Sequence, residues 1–567
     1  MMGPDTSWPR RLRRVPKGAT VIKDRGTDSV GSAGSPTQGA TLKLPPVLGR
    51  LFDGTLWLAL RTPLQVVTSL WTVRLTLEAI GPRSGAYGFA WNFGFFQMLF
   101  EFGMSSALQR QVSERWTKGD RSGVDRAIAC GMTFYAAMAL VQMAALLGVA
   151  YGALPFTEFT GEAYGLIVKL LWLQVLTAPF YGLSVVLSSV LQAARRYDFI
   201  PRLEVAVILI RFAILWYGVK AEVDFFTIVV AQTVAQIGLV IVPALWVMVR
   251  ELGYIPHFTG ARRDDYRALI HISFYMFLIQ LSVVLADRVD TTILGFASDE
   301  PLRANEIYYV ISKPFLMLRQ TGWTLAYMVM PAVASLVAAR DEPALDRIKY
   351  DATRLHLAAI LPTALLAAAY AGPFLTLWVG DTLTGFRDAK AIAPLLRLFL
   401  VATIPLILSV PVQAAFGMNK IKVVALAALG GALVNLPLSY GLTRVLGVSG
   451  VIWGTVLTTL FSNLLIPGVY VFRVLGIRPR TFLRRTISAP LCGALALLAA
   501  AAAANAVFPL HPSPQGGMSP SRWAPLAFHL TFCCLAYAAG YLASPVGRAD
   551  LAEIGGKLGG RFRAEKD

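Results

Sequence analysis

Seven ionisable side chains stand inside long apolar stretches of this 567-residue sequence: Arg61, Glu101, Asp287, Arg288, Asp290, Lys313 and Arg319. A charge at the centre of a hydrocarbon layer costs about 2.5–3.5 kcal/mol on insertion scales, so each must be wet, paired or used. In a water-filled cavity, Arg and Lys hold an anionic group through charge-assisted bonds, Arg with a bidentate fork. Arg61, Arg288, Lys313 and Arg319 are therefore candidate anion-binding residues. Asp287 and Asp290 lie three apart and share one face of a continuous helix. With Glu101 they are candidate ion-coupling acids, taking up a proton or Na⁺ during a working cycle; the competing reading of the Asp pair is a structural ion-pair network. Arg74, Glu78, Lys169 and Arg397 lie near the ends of their apolar runs, where snorkelling toward water is expected.

The elements that carry these residues follow from composition. Hydrophobic residues make up 56% of the chain and charged ones 15%, and mean hydropathy is +0.58. That charge content is too low to cover a soluble surface, which excludes a cytosolic enzyme and a long disordered scaffold. The apolar residues come in blocks of the length that crosses ~30 Å of hydrocarbon as a helix. Fourteen blocks are read, near 51–79, 86–108, 127–152, 163–192, 200–219, 225–249, 268–294, 306–338, 355–378, 391–416, 423–442, 449–472, 486–507 and 524–543. The fold class expected is an all-α, multi-pass membrane protein.

Charge position sets the topology. Of the 52 Lys and Arg, 37 fall on the tails and even-numbered connections and only seven on the odd-numbered ones. Basic loops stay on the cytoplasmic side, so both termini are expected in the cytoplasm, with the protein in the inner (plasma) membrane. The net charge of +19 is thus a topology signal, and no nucleic-acid partner is expected. Residues 1–48 are polar, basic and rich in Gly, Ser and Pro, and read as a disordered cytoplasmic tail with no cleavable leader. Residues 545–567 read as a second, short cytoplasmic tail.

The connections on the outer side are short, which leaves no room for a catalytic domain, and no P-loop, GxSxG or HExxH pattern occurs. Cys130, Cys492, Cys533 and Cys534 lie in apolar blocks without CxxC spacing, and the five His are scattered. No enzyme activity, metal or cofactor is expected.

Three stretches carry a family resemblance. The first runs Gly81-Pro-Arg-Ser-Gly85-Ala-Tyr87-Gly88, followed by Phe100-Glu-Phe-Gly103 through Arg110. The second is Leu377-Trp378-Val379-Gly380. The third runs Gly430-Gly431 through Asn435, followed by Gly447-Val-Ser-Gly450-Val-Ile-Trp-Gly454. Leu191 to Arg196 and Pro331 support them. In this order and spacing they resemble the multidrug/oligosaccharidyl-lipid/polysaccharide exporter superfamily over about 50–475, and most closely its polysaccharide (O-unit) flippase branch, with lipid II flippases nearby. Read physically, Gly85 and Gly88 flank a turn and allow close helix approach, Tyr87 suits an interfacial belt, Asn435 can bond across to another helix, and Trp378 to Gly380 looks like an interfacial anchor and helix stop.

The resemblance implies two pseudo-symmetric six-helix lobes, 49–250 and 265–475, around a cavity lined by spans 1, 2, 7 and 8, with an extra helix pair at 484–544. It implies a flippase that moves undecaprenyl-diphosphate-linked oligosaccharide across the inner membrane by alternating access. Its partners would be that lipid-linked oligosaccharide, membrane lipids, and a polysaccharide polymerase or glycosyltransferases. Arg61, Arg288, Lys313 and Arg319 would then meet the diphosphate. Two alternatives stand beside this: a cation-coupled multidrug exporter of the same superfamily, and a membrane glycosyltransferase or polymerase. In the extra pair, the alanine run 499–504 fits either a groove for a lipid tail or a helix-pairing face.

Overall fold

The apolar blocks fold as helices, and no strand occurs among the described residues. In this computed structural model those residues are 46–194, 196, 199–327, 329–380, 382, 389–510 and 520–553; the side chain of Asp287 and most of those at 46–59 and 267–276 lie outside the description. The polar tail expected over 1–48 is almost wholly outside it. Two compact units are distinguished, Met1–Pro46 and Val47–Asp567, and the helices belong to the second.

Helix α1 (Pro46–Ile80) leads through the tight turn Gly81–Arg83 into a block divided into α2 (Ser84–Asn92), α3 (Phe95–Phe100) and α4 (Met104–Thr117). Next come α5 (Arg121–Gly148), α6 (Gly161–Ala193), α7 (Phe199–Lys220) and α8 (Phe225–Val247). The chain continues with α9 (Arg263–Arg288), α10 (Asp290–Ala297), α11 (Pro301–Tyr327), α12 (Val329–Ala339), α13 (Glu342–Arg347), α14 (Thr353–Ala369) and α15 (Ala371–Val379). Then follow α16 (Ala393–Val401), α17 (Ser409–Gly417), α18 (Lys422–Leu446), α19 (Val448–Thr459) and α20 (Ile466–Val474), and last α21 (Pro479–Phe482), α22 (Ser488–Val507) and α23 (Pro520–Ala543). Side-chain caps start several of them. Asp120 accepts from the Gly123 amide at 2.8 Å, Asp224 from the Thr227 amide at 3.0 Å and Asp341 from the Ala344 amide at 3.0 Å. The Gly123 amide, helped by the Ser122 hydroxyl, holds the Asp120 carboxyl below the usual carboxylate range.

Among the described residues nine helices are long and apolar enough to cross a membrane, against the fourteen spans expected. Charge and breaks account for four of the differences. Helix α1 carries Arg61, Arg74 and Glu78, α7 carries Arg202, Glu204, Arg211 and Lys220, and α11 carries Arg303, Glu306, Lys313 and Arg319. The second block is broken at Phe93–Gly94 and again at Glu101–Gly103, where Phe102 (φ 51°) and Gly103 (φ 67°) are both left-handed. The same helices surround the central cavity described below.

Two expectations from the motifs are corrected here. Trp378 is no interfacial anchor: it is fully buried, its indole Nε1 donates to the Leu70 carbonyl at 2.9 Å, and the ring tilts against Phe374. Arg74 does not snorkel. Its side chain is only 8% exposed and its guanidinium donates to the Trp378 carbonyl at 2.8 Å. The two bonds clasp α1 to the end of α15 and satisfy the indole N–H and one guanidinium N–H. Asn435 does bond across helices: Thr458 Oγ1 on α19 donates to its Oδ1 at 3.3 Å. Gly454 lets α18 and α19 close up, since a Cβ there would lie 2.0 Å from Ser439 Oγ.

The last helix pair packs as a unit. A Cβ on Gly493 would meet Tyr537 at 2.9 Å, one on Gly540 would meet Ala496 at 2.6 Å, and Ala494, Ala500 and Ala501 share a buried cluster with Tyr370, Leu526 and Cys533. Small residues thus serve close pairing. The segment after α23 is not a free tail at its start: residues 545–553 are helical. Asp550 accepts two bonds from Arg354 and one from Tyr541 Oη at 2.5 Å, while Arg354 also donates to Asp351 at 2.9 Å. The Arg354 side chain is 6% exposed and that of Asp550 10%. Breaking a buried pair from one side leaves an uncompensated charge and costs about 3 kcal/mol. Asp550→Ala is therefore expected to lower the melting temperature of the purified protein. Equal melting of Asp550→Ala and the parent would dismiss the lock.

Candidate functional site

A cavity of about 350 Å³ lies among α1, α2, α7, α8, α9, α10 and α11. Helix α1 presents Gln65, Thr68, Ser69 and Thr72 to it, α2 presents Tyr87, Trp91 and Asn92, and α11 presents Tyr308, Tyr309, Ser312 and Lys313. Gln232 reaches in from α8 and Thr291 from α10. Three cations face this space, namely Arg211 from α7, Arg288 from the end of α9 and Lys313 from α11, and among the described residues no Asp or Glu lines it.

The three cations are held differently. Lys313 Nζ sits over the Tyr309 ring, 4.9 Å from its centroid, a cation–π contact that steadies the ammonium without neutralising it. Arg211 donates to Gln236 Oε1 at 2.8 Å, and its backbone carbonyl accepts from Gln232 Nε2 at 2.8 Å. Its buried Nε has no hydrogen-bond partner. The Arg288 carbonyl accepts from Asn92 Nδ2, tying the end of α9 to α2. Among the described residues no carboxylate lies within 4 Å of these three cationic groups. Among the described residues, then, three cations share a polar hollow with no carboxylate, and such a lining favours an anion over a cation.

The residues singled out from the sequence scatter around this centre. Lys313 and Arg288 are in it. Arg61 is not: it pairs with Glu204 of α7 at 2.8 Å and lines a second cavity of about 230 Å³ between α1 and α11, which shares Gln65 and Ser69 with the first. Arg319 lines neither cavity and stacks over the Phe315 ring, 5.2 Å from its centroid. Asp290 is 1% exposed; its Oδ2 accepts from Tyr308 Oη at 2.7 Å and Thr455 Oγ1 at 3.0 Å, joining α10, α11 and α19. The Asp287 side chain lies outside the described residues. The boundary of α9 and α10 falls between the two Asp, at Val289. Glu101 lies apart, in a pocket among α3, α5 and α6.

Sequence reasoning missed Arg211 as a site residue, although it stands alone in the apolar run Ile208-Leu-Ile-Arg-Phe-Ala-Ile-Leu215 and gives the same signal as Lys313. It also placed Tyr87 in an interfacial belt. Tyr87 is instead buried against the cavity, its ring edge-on to Phe225 and Tyr309 at 5.2 and 6.0 Å.

Helices α9–α11 touch the α2–α4 block at two places. Near one end α2 lies against α11, so closely that a Cβ on Gly85 would stand 2.1 Å from the Leu302 carbonyl oxygen. Toward the other end of α9, Asp265 pairs with Arg115 of α4 at 2.5 Å and stands 3.8 Å from Arg126.

Comparisons with known proteins bear on the fold. Residues 59–216 match the MatE family model. The chain is 29% identical over 184 residues to an uncharacterised membrane protein, EpsK, of Bacillus subtilis (strain 168), a match spanning 32% of this chain and 35% of that protein, so about a third of the relative's length. In fold it resembles the lipid II flippase MurJ in an inward closed conformation, with a TM-score of 0.66, 14% identity, and coverage of 86% of this chain and 98% of that one. It also resembles an inward-facing multidrug resistance MATE family transporter of the MOP superfamily (TM-score 0.58, 13% identity, 76% and 98% covered) and a mutant form of the Vibrio cholerae MATE transporter VcmN (TM-score 0.51, 15% identity, 77% and 98% covered). This chain is thus a multi-pass membrane protein with the helical fold shared by MurJ and the MATE transporters of the MOP superfamily, and a MatE match over residues 59–216.

Proposed function

We propose that the protein is a flippase for a lipid-linked, diphosphate-bearing oligosaccharide. One observation carries the reading: the central cavity presents Arg211, Arg288 and Lys313 and, among the described residues, no carboxylate. A diphosphate between a lipid tail and a sugar chain is a compact double anion. It suits one guanidinium fork, a second guanidinium and an ammonium, with Gln65, Asn92, Gln232 and the Tyr and Thr hydroxyls available to a sugar. An exporter of cationic drugs has the opposite need, since a cation is drawn to acids and repelled by this lining. Asp290, Glu306 and Glu101, buried acids of these helices, are not among the cavity's lining residues.

In this reading α1–α8 and α9–α20 are two lobes that rock about the cavity, as repeat-built transporters do. The contacts of α2 with α11 and of Arg115 with Asp265 part in turn. The basic ends face the cytoplasm of a cell with a single or inner membrane, both termini lie there, and the substrate is an undecaprenyl-diphosphate glycan from polysaccharide assembly. Asp290 stays a hydrogen-bonded clasp in this scheme, and Arg61 guards the second cavity through Glu204.

Proteoliposomes with a fluorescent lipid-diphosphate oligosaccharide in both leaflets test the reading. Protein-dependent exposure of the inner-leaflet pool to an impermeant quencher is expected, with competition by a short-chain lipid diphosphate. Efflux of a cationic dye, with no movement of the labelled lipid, would replace the flippase reading by the exporter.

A further inference from the structure

The turn from α20 to α22 carries charge that the fold does not answer. From 389 to 549 the sequence holds twelve Lys and Arg and no Asp or Glu. Four of the twelve, Arg473, Arg478, Arg480 and Arg484, crowd this turn, and Lys420 and Lys422 stand on the turn from α17 to α18. The two turns pack together: Met418 and Val424 join Val471, Leu475, Ile477 and Phe482 in one buried cluster. All six cations are exposed, and among the described residues no carboxylate lies within 4 Å of them. The connection between α4 and α5 differs. There Arg115 pairs with Asp265, Lys118 with Glu114 and Arg126 with Asp120. Even Arg485, the neighbour of Arg484, pairs with Asp351. Six like charges kept together without an acid repel one another and draw an anion.

The helix that follows indicates which anion. Helix α21 runs on through α22 as one helix of 29 residues, Pro479–Val507, apolar enough to cross a membrane. Its unpaired first-turn amides add to the pull of Arg478, Arg480 and Arg484 on a phosphate. Arg480 and Arg484 lie one turn apart, and Leu491, Leu495 and Leu498 follow Arg484 at steps of seven, four and three residues, all exposed. Gly493 and Leu497, which pack within the last helix pair, come two residues after Leu491 and Leu495, roughly 200° away about the axis. The leucine stripe is therefore the face turned away from α23. A cationic end on an exposed apolar stripe matches a phospholipid, phosphate first and acyl chains after. We propose that this turn is a seat for an anionic phospholipid, its phosphate held by Arg478, Arg480 and Arg484 and its chains lying along Leu491, Leu495 and Leu498.

The seat is built in advance. The Arg478 amide donates to Tyr350 Oη at 3.3 Å, Thr486 Oγ1 donates to the Tyr350 carbonyl at 3.1 Å, and Arg485 donates to Asp351 at 2.9 Å. These bonds hold the turn against the segment leading into α14, so the three guanidinium groups start from a fixed backbone. A bound phosphate relieves their mutual repulsion and steadies the last helix pair where it meets α14. Neither the leucine stripe nor the three arginines line the central cavity. Binding here does not depend on what that cavity carries, so the test runs without a transported substrate and its failure leaves the flippase reading untouched.

The full-length protein in a neutral detergent is melted across a titration of short-chain phosphatidylglycerol at constant ionic strength. Short-chain phosphatidylcholine and inorganic phosphate form parallel arms. A saturable rise in melting temperature is expected with phosphatidylglycerol alone. The triple variant Arg478→Gln/Arg480→Gln/Arg484→Gln should raise the half-saturating concentration roughly a hundredfold. Lys118→Gln with Arg196→Gln, which removes exposed cations that already have acids, should respond as the parent does. A parent without a phosphatidylglycerol response, or a triple variant with the parental one, overturns the seat. An equal rise with inorganic phosphate also overturns it, in favour of a site for a free anion. If the triple variant does not fold, Arg484→Gln decides, with a shift of about fivefold expected and an unchanged titration overturning the proposal.

Discussion

Alanine at both Arg211 and Lys313 is expected to slow translocation of a lipid diphosphate by roughly a hundredfold or more while the protein still folds. A hydrogen bond to a charged group is worth about 1.5–3 kcal/mol, so two lost together exceed the ~2.7 kcal/mol that a hundredfold requires. The fold should survive because neither side chain holds much of it. Lys313 rests on the Tyr309 ring. Arg211 gives up one bond to Gln236, and the bond from Gln232 goes to its backbone carbonyl and remains. Lys313→Arg should keep most activity, whereas Arg211→Lys should lose part of it, because an ammonium cannot reproduce the fork. Arg319→Ala, away from the cavity, should transport as the parent does. The leaflet assay with equal amounts of folded protein checks all four, and parental rates in the double variant would remove the anion-binding reading of the cavity.

How far this was legible from the sequence differs from residue to residue. Helical class was plain, because apolar blocks long enough to span a bilayer admit little else. Lys313 and Arg288 were legible as charges where charges are costly, and both reach the cavity. Arg211 gave the same signal from α7, which lies outside the four spans expected to line the cavity; only the packing of α7 against α1, through Arg61–Glu204 and Trp71–Trp216, brings it in. Arg61 and Arg319 show the limit from the other side. A sequence tells that an arginine sits on a helix, but not whether a Glu204 waits on the neighbouring helix or a Phe315 ring lies beneath it.

Aromatic residues were misread for a related reason. Tyr and Trp favour the membrane interface and also suit buried sites where the polar tip finds a partner. For Trp378 the partner is the Leu70 carbonyl, 308 residues away in sequence, and nothing local announces it. Helix breaks were equally hidden. Phe102 is an ordinary apolar residue, and only its left-handed backbone marks the break between α3 and α4, while Val289 between α9 and α10 stays close to helical angles. Arg288 and Asp290, two residues apart, point roughly 200° apart about a helix axis, so one faces the cavity and the other a clasp with Tyr308 and Thr455.

Gly85 should be the least replaceable residue outside the cavity. A Cβ added to it would stand 2.1 Å from the Leu302 carbonyl oxygen and 2.8 Å from the Glu306 amide nitrogen. Both are backbone atoms of α11, so no side chain can turn away, and α2 and α11 must part. Gly88, one turn on, meets only the Tyr309 side chain, at 3.2 Å, and that ring can yield by a few tenths of an ångström. Overpacking costs about 1–3 kcal/mol in ordinary cores; with rigid backbone on both sides, Gly85→Val should reach the upper end. A penalty of ~3 kcal/mol confined to the state in which the two helices touch shifts that equilibrium by more than a hundredfold. Gly85→Val is therefore expected to hold this end apart, expose a cysteine placed at Ser312 in the cavity to an impermeant thiol reagent, and stop turnover. Gly88→Ala should label and transport nearly as the parent does. Slow labelling at position 312 in Gly85→Val, with transport intact, would show that this contact does not open during the cycle.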